Sequence, residues 1–229
     1  MIGRLAGNVS VIATGDGRTL RIREATPADI PGMTHTLLEG IRISLASLPD
    51  SETWIPKLYS DMARRKPADY EKLLEQIARG AGTRTIFVAE TEDHSIAGFI
   101  DCELRPDGAG QIYAWHLREE FHAKRTEYPD KNLATGLMDT AKAYLGEVDI
   151  FSNTTVETHA LPAHLRQGFE IDESVAAEDP RLGTPSAWIE FGCPPTIELA
   201  DGTVREVGKQ VVLVRRKPGR AQAAALEIH

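Results

Sequence analysis

Residues 126–138 read TEYPDKNLATGLM. A polar run gives way to a sudden loss of side-chain bulk at Ala134, Thr135 and Gly136. An apolar helical pattern then opens at Leu137 and extends to about Leu145. The first turn of a helix carries backbone N–H groups without intrahelical partners and the positive end of the macrodipole. Small residues there serve one of two ends. They let the helix pack closely on a neighbour, or they let an anion such as a phosphate reach the backbone. The stretch alone leaves both readings open.

Upstream, Leu20-Arg21-Ile22-Arg23 alternates apolar and polar, as a half-buried strand does. In ATPADIPGM, Thr26 suits an N-cap, Pro27 the first helical position, and Asp29 closes a capping box. The helix that follows carries Ile30, Met33, Leu37, Leu38 and Ile41 on one face. Helical patterns resume over 55–65 and 70–79 and end at Gly80-Ala81-Gly82. Residues 85–89 and 96–104 flank the turn Glu92-Asp93-His94 and read as a hairpin. After the turn Pro106-Asp107-Gly108, residues 111–121 are a third strand candidate.

Downstream, a strand is expected over 148–153 and a helix over 159–167, with Pro162 in its first turn. Strands are expected over 169–174, 187–191 and 211–215. The segment 176–185 is turn-rich, and 194–208 is a long connection with a turn at Asp201-Gly202. The order is a strand, two or three helices, a strand meander and a βαβα portion. That is an α/β chain with one domain. Its bounds are read as an N-terminal extension at 1–18, a domain at 19–218 and a tail at 219–229. The ending AAALEIH reads as vector-derived residues leading into a tag.

Composition limits the function. Hydrophobic residues make up 41% and charged residues 26%, enough apolar material for a core without disulfides. Cys102 and Cys193 match no metal-ligand spacing and suit a reduced, cytoplasmic chain. No apolar run approaches the roughly 18 residues of a membrane span, and no signal peptide is read at the N-terminus. A net charge of −8 argues against nonspecific binding to nucleic acid and fits a cationic small substrate.

With these elements in order, the chain resembles the GNAT superfamily of acyl-CoA-dependent N-acetyltransferases over roughly residues 19–216. LRIREATPADIPGM looks like the family's first strand and helix, and Gly98-Phe99-Ile100 matches its hairpin. TEYPDKNLATGLM is similar to the pyrophosphate loop, which in the family often reads like PEYRGKGLATALM. Glu127, Tyr128, Lys131 and Leu133-Ala134-Thr135 match. Pro129, Asp130 and Asn132 depart from the usual Arg, Gly and Gly. ETHALPAHLRQGFEI is similar to the segment ending in Gly-Phe, with Ala160, Gly168 and Phe169 at the family spacing. Glu157 stands where Asn is frequent, and His164 where a Tyr general acid is frequent.

The resemblance implies a GNAT-like mixed central sheet flanked by helices, acetyl-CoA as co-substrate and no metal. It implies direct acetyl transfer to the amine of a small molecule in a ternary complex, and homodimers are frequent in the family. Lys131, Asn132 and the first-turn amides of Leu133, Ala134, Thr135 and Gly136 would bind the pyrophosphate, which favours the anion reading of the opening stretch. A base is expected on the strand before the loop. Alternation puts His116, Arg118 and Glu120 on one face, and Glu120 is the candidate, with Asp101 and Glu103 on the neighbouring strand as others. His164 would replace the tyrosine acid, since imidazole titrates near neutrality. Tyr113 and Trp115 are candidates to shape an acceptor pocket. The altered loop keeps two alternatives: a divergent enzyme using another acyl-CoA or other chemistry, and a non-catalytic protein that binds a ligand or partner.

Overall fold

The computed structural model describes residues 10–13, 17–122, 133–155, 158, 160–174, 187–198, 202–208 and 210–217. In chain order the elements are β1 (Ser10–Ala13), β2 (Thr19–Glu24), α1 (Ile30–Leu45), α2 (Ser51–Ala78), β3 (Arg84–Glu90), β4 (Ile96–Leu104) and β5 (Gly110–Leu117). There follow α3 (Leu133–Leu145), β6 (Ile150–Thr155), α4 (Ala160–Arg166), β7 (Glu170–Ile171), β8 (Thr196–Glu198), β9 (Val204–Glu206) and β10 (Gln210–Arg215).

Eight strands form one mixed sheet in the order β1-β2-β3-β4-β5-β6-β10-β7. Neighbours from β1 to β5 are antiparallel, β5 and β6 are parallel, and β10 runs antiparallel to both β6 and β7. β3 explains the layering. Its run Ile86-Phe87-Val88-Ala89 is buried throughout, as a strand covered on both faces must be. Ile86 and Val88 meet Met33 and Leu37 of α1 and Tyr70 and Leu74 of α2. Phe87 and Ala89 meet Leu133, Leu137, Met138 and Ala141 of α3 on the other side. The result is an α/β sandwich with a mixed sheet between two helical layers.

Several sequence expectations change. The two helical patterns at 55–65 and 70–79 are one 28-residue helix that runs through Pro56 and Pro67. Each interior proline removes a backbone hydrogen bond. The helix continues because Trp54, Ile55, Leu58, Tyr70 and Leu74 are all buried along it. Residues 187–191 form a 3-10 helix instead of a strand, and the connection 194–208 contains the hairpin β8–β9. Ser10–Ala13, read from the sequence as part of an extension, pairs with β2 as an edge strand of the sheet. The third strand ends at Leu117, and Glu119–Phe121 is a 3-10 turn. Strand alternation therefore does not reach Glu119 or Glu120.

The capping box expected at Thr26 is present. The Asp29 carboxylate accepts the Thr26 backbone N–H at 2.7 Å and the Thr26 hydroxyl at 2.9 Å, and takes the Arg23 guanidinium at 2.7 and 2.8 Å. This fixes the entry to α1. Gly32 then brings α1 close to the sheet, since a Cβ there would lie 2.6 Å from Ile96 Cγ1. Gly40 does the same two turns later, where a Cβ would lie 3.1 Å from His116 Nδ1. A third cluster joins Leu45, Leu48, Trp54 and Leu58 at the α1–α2 corner to Cys193 and Val207, with Trp188, Phe191 and Ile197 packed against it.

Candidate active site

The site begins with a defect in pairing. Asp101 of β4 pairs with Ala114, but the next residue, Cys102, pairs with Ile112, so Tyr113 is an extra residue on β5. Such a bulge bends its strand. Immediately beside it, the parallel pairing of β5 with β6 stops after Ile112 and Ser152. β5 continues to Leu117 and β6 to Thr155 without pairing to each other. Between the two arms lies a cleft of about 370 Å³.

Ile41, Ser44 and Leu45 of α1 wall the cleft on one side. Ala160 and His164 of α4 wall it on the other, and Trp188 of the 3-10 helix Ala187–Phe191 adds to its lining. Three buried polar atoms on its lining residues have no hydrogen-bond partner among the described residues: Trp115 Nε1, Asn153 Oδ1 and Thr155 Oγ1. Buried polar groups are rarely left unpaired.

Two histidines face the cleft. His116 sits beside Gly40 and stacks at a tilt on Phe99, with ring centroids 5.5 Å apart. Burial, and then the neighbouring charges of His122 and Lys66, push it down to about 4. His164 is 3% exposed. Its ring meets Trp115 and Phe169 edge-on, at centroid distances of 5.1 and 5.3 Å. Burial lowers its pKa against the opposing pull of the Ala160 carbonyl. Both imidazoles are therefore neutral at pH 7.

The tautomer of His164 follows from its contacts. Nδ1 lies 2.8 Å from the Ala160 carbonyl oxygen, which can only accept, so Nδ1 carries the proton. Nε2 is left bare and accepts from the Ser152 hydroxyl at 3.0 Å. Ser152 carries no local signal, because a lone serine in the strand IFSNTT has no motif around it.

Tyr113 stands half-exposed at the cleft wall. It donates to Glu103 Oε2 at 2.6 Å, and the Arg84 guanidinium lies 4.0 Å from its ring centroid. Arg84 also holds the buried Asp101 carboxylate at 2.9 and 2.7 Å. Burial, followed by the Glu103 contact, pushes the Tyr113 hydroxyl up to about 12. Asp101 and Glu103 are thus both engaged with partners.

Glu120 lies apart from this cleft. Its side chain is 48% exposed and pairs with Arg118 at 3.0 Å and Arg18 at 3.7 Å. Lys131, Asn132 and the loop before them lie outside the described residues, as do Glu157 and His159. α3 begins at Leu133, as expected. Leu133 is buried in the core, and Thr135 Oγ1 accepts from Gln167 Nε2 at 3.0 Å. Gly136 meets the sheet: a Cβ there would come within 1.9 Å of Ile12 Cδ1. Close packing accounts for its missing side chain.

No protein-family model matches the sequence, and no protein of curated function matches it. Solved structures match the fold. A PaiA N-acetyltransferase from Thermoplasma acidophilum, solved in complex with coenzyme A, superposes with a TM-score of 0.53 at 14% identity. The match covers 86% of this chain and 98% of that one. An acetyltransferase of the GNAT family from Staphylococcus aureus gives 0.51 at 12% identity, covering 86% and 98%. A ribosomal-protein-S5-alanine acetyltransferase from Vibrio fischeri gives 0.50 at 12%, covering 87% and 94%. The architecture is that of the GNAT acetyltransferases, a mixed sheet flanked by helices, in strongly diverged sequence.

Proposed function

We propose that the protein transfers an acetyl group from acetyl-CoA to the amine of a small molecule, by direct attack with both substrates bound. The observation that carries this reading is the fork between β5 and β6. It opens a cleft lined by two neutral histidines and by residues that carry buried, unpartnered polar atoms among the described residues, in a fold shared with acetyltransferases. Holding two reactants side by side supplies much of the rate of a bimolecular reaction.

Trp115, Asn153 and Thr155 offer polar atoms to the amide-bearing arm of the co-substrate. Lys131, Asn132 and the free amides of the first turn of α3, from Leu133 to Gly136, would take its pyrophosphate. The acetyl thioester supplies an activated carbonyl. The acceptor enters from the α1 side, against Ile41, Leu45, Tyr113 and Trp188. That wall is largely apolar, which suits an amine carried on an aliphatic or aromatic body. Glu120, expected to be the base, is displaced in this reading by groups that face the cleft, because a base must reach the proton that it removes.

The test is calorimetric titration with acetyl-CoA, followed by thiol release across a panel of primary amines. Saturable binding and amine-dependent release are expected. Lys131→Glu should weaken acetyl-CoA binding at least about tenfold, the worth of one charge-assisted hydrogen bond. Gly136 is unsuited to this test, since any side chain there strikes Ile12. Absence of both binding and release would leave the fold as a ligand- or partner-binding scaffold.

A further inference from the structure

We propose that Ser152 and His164 form a proton relay in which the Ser152 hydroxyl contacts the reacting groups and His164 stores the proton behind it. This deepens the acetyl-transfer reading and rests on it.

Ser152 is the last residue of β6 registered with β5, so it stands at the vertex of the fork. It is 2% exposed and lines the cleft together with His164. Its hydroxyl has two acceptors within range, His164 Nε2 at 3.0 Å and the Ile112 carbonyl at 3.4 Å. The shorter contact directs its proton to the imidazole. The Ala160 carbonyl holds the other imidazole proton in place at 2.8 Å, and the Trp115 and Phe169 rings fix the plane. A hydroxyl, an oriented imidazole and a fixed acceptor are thus strung in a line that ends in the cleft.

The wiring sets the order of events. His164 has no proton on Nε2, so it cannot begin as an acid. When the amine nitrogen bonds to the thioester carbonyl carbon, it must lose a proton. Ser152 Oγ takes that proton and passes its own to His164 Nε2, forming an imidazolium. As the carbon–sulfur bond breaks, the imidazolium returns a proton through Ser152 Oγ to the departing sulfur. The proton lost by nitrogen equals the proton gained by sulfur, and both residues end as they began. No oxidant, metal or covalent enzyme intermediate enters.

The neighbourhood suits a temporary charge. His164's shift arises from burial and the Ala160 carbonyl, with no described charged group contributing. Among the described residues, His116 and Tyr113 are the other titratable side chains on the cleft lining. A neutral His116 does not oppose the imidazolium.

The experiment measures steady-state kinetics of the full chain with acetyl-CoA and the best amine of the panel. Ser152→Ala, His164→Phe and the double variant are compared. Positioned acid–base groups are worth about 10²–10⁴-fold. Each single variant should lose at least about a hundredfold in kcat at this scale, with KM for acetyl-CoA nearly unchanged. The double variant should lose no more than the worse single one, because the pair acts as a unit. Ser152→Thr, which keeps the hydroxyl, should recover most of the rate. Nitrogen NMR of labelled histidine gives a readout independent of turnover: His164 should carry its proton on Nδ1, with the Nε2 shift moving in Ser152→Ala. Wild-type kcat in Ser152→Ala, multiplicative losses in the double variant, or a proton on Nε2 would each overturn the relay alone. A wild-type protein that binds acetyl-CoA but transfers to no amine would overturn the acetyl-transfer reading and the relay with it.

Discussion

The bare Cα of Gly136 is a steric fact before it is a chemical one. Helical glycine costs about 1 kcal/mol relative to alanine, so Gly136→Ala would ordinarily stabilise α3. Ile12 Cδ1, 1.9 Å from the new Cβ, reverses that sign or cancels it. Trimming the opposing side chain with Ile12→Val should restore part of the loss, and a thermal-unfolding double-mutant cycle should show coupling of about 1 kcal/mol. Additive effects would mean that Ile12 does not press on Gly136. Glu120 carries the opposite lesson. It lines no part of the cleft and its exposed ion pairs are worth at most about 1 kcal/mol of stability, so Glu120→Gln should change kcat/KM by no more than about fivefold. A loss of a hundredfold or more would return the base role to it. His116 makes a pH prediction. The unfolded imidazole takes a proton below about 6.5, whereas the folded one waits until about 4. Between those values the unfolded state binds more protons, so stability rises with pH and falls on acidification. His164 shifts in the same direction. The melting temperature should drop from pH 6.5 to 4.5, and drop less in His116→Phe. Parallel slopes would show that His116 titrates normally in the folded chain.

Among the elements, β4 and β5 approach each other closely at Gly98, which pairs with Leu117. A Cβ at Gly98 would lie 2.6 Å from Leu117 Cδ2 and 3.0 Å from the His116 carbonyl oxygen. The second is backbone and cannot swing aside, so Gly98→Ala should cost about 1–3 kcal/mol as overpacking. Wild-type stability in a denaturant titration would contradict that close approach. Trp188 should matter for one substrate only. Trp188→Ala is expected to raise KM for the amine while leaving acetyl-CoA affinity unchanged, and weakened acetyl-CoA binding would move the wall to the other substrate. The hairpin β3–β4, the amphipathic face of α1 and the start of α3 were readable in the sequence, because local periodicity and turn residues agree with the packing. The fork was not. It depends on a bulge at Tyr113 and on strand pairing between residues about forty positions apart, and neither leaves a local pattern. Ser152 was invisible for the same reason. The 3-10 turn that removes Glu120 from β5 was missed because 111–121 offered no clear stop before Phe121.

For the whole molecule, acetyl-CoA at a hundred times its dissociation constant should stabilise the fold by about 2.7 kcal/mol. An unchanged melting temperature under those conditions would argue against a formed site. No helix among the described residues is long and apolar enough to cross a membrane. Order of elements, more than any single motif, carried the fold from sequence to structure, which is why the architecture persists at 12–14% identity. Strands β1 to β5 make one plate, and β6, β10 and β7 make another. Among the described residues the ladder between them is Gly110–Ile150, Gln111–Phe151 and Ile112–Ser152. The apolar core runs on beneath it, with Ile100, Ile112, Leu137, Ile150, Phe169 and Leu213 in one cluster. The cleft is thus an opening in the backbone ladder over a continuous apolar floor, and beyond Ile112 and Ser152 each strand turns toward it an edge that the other does not pair.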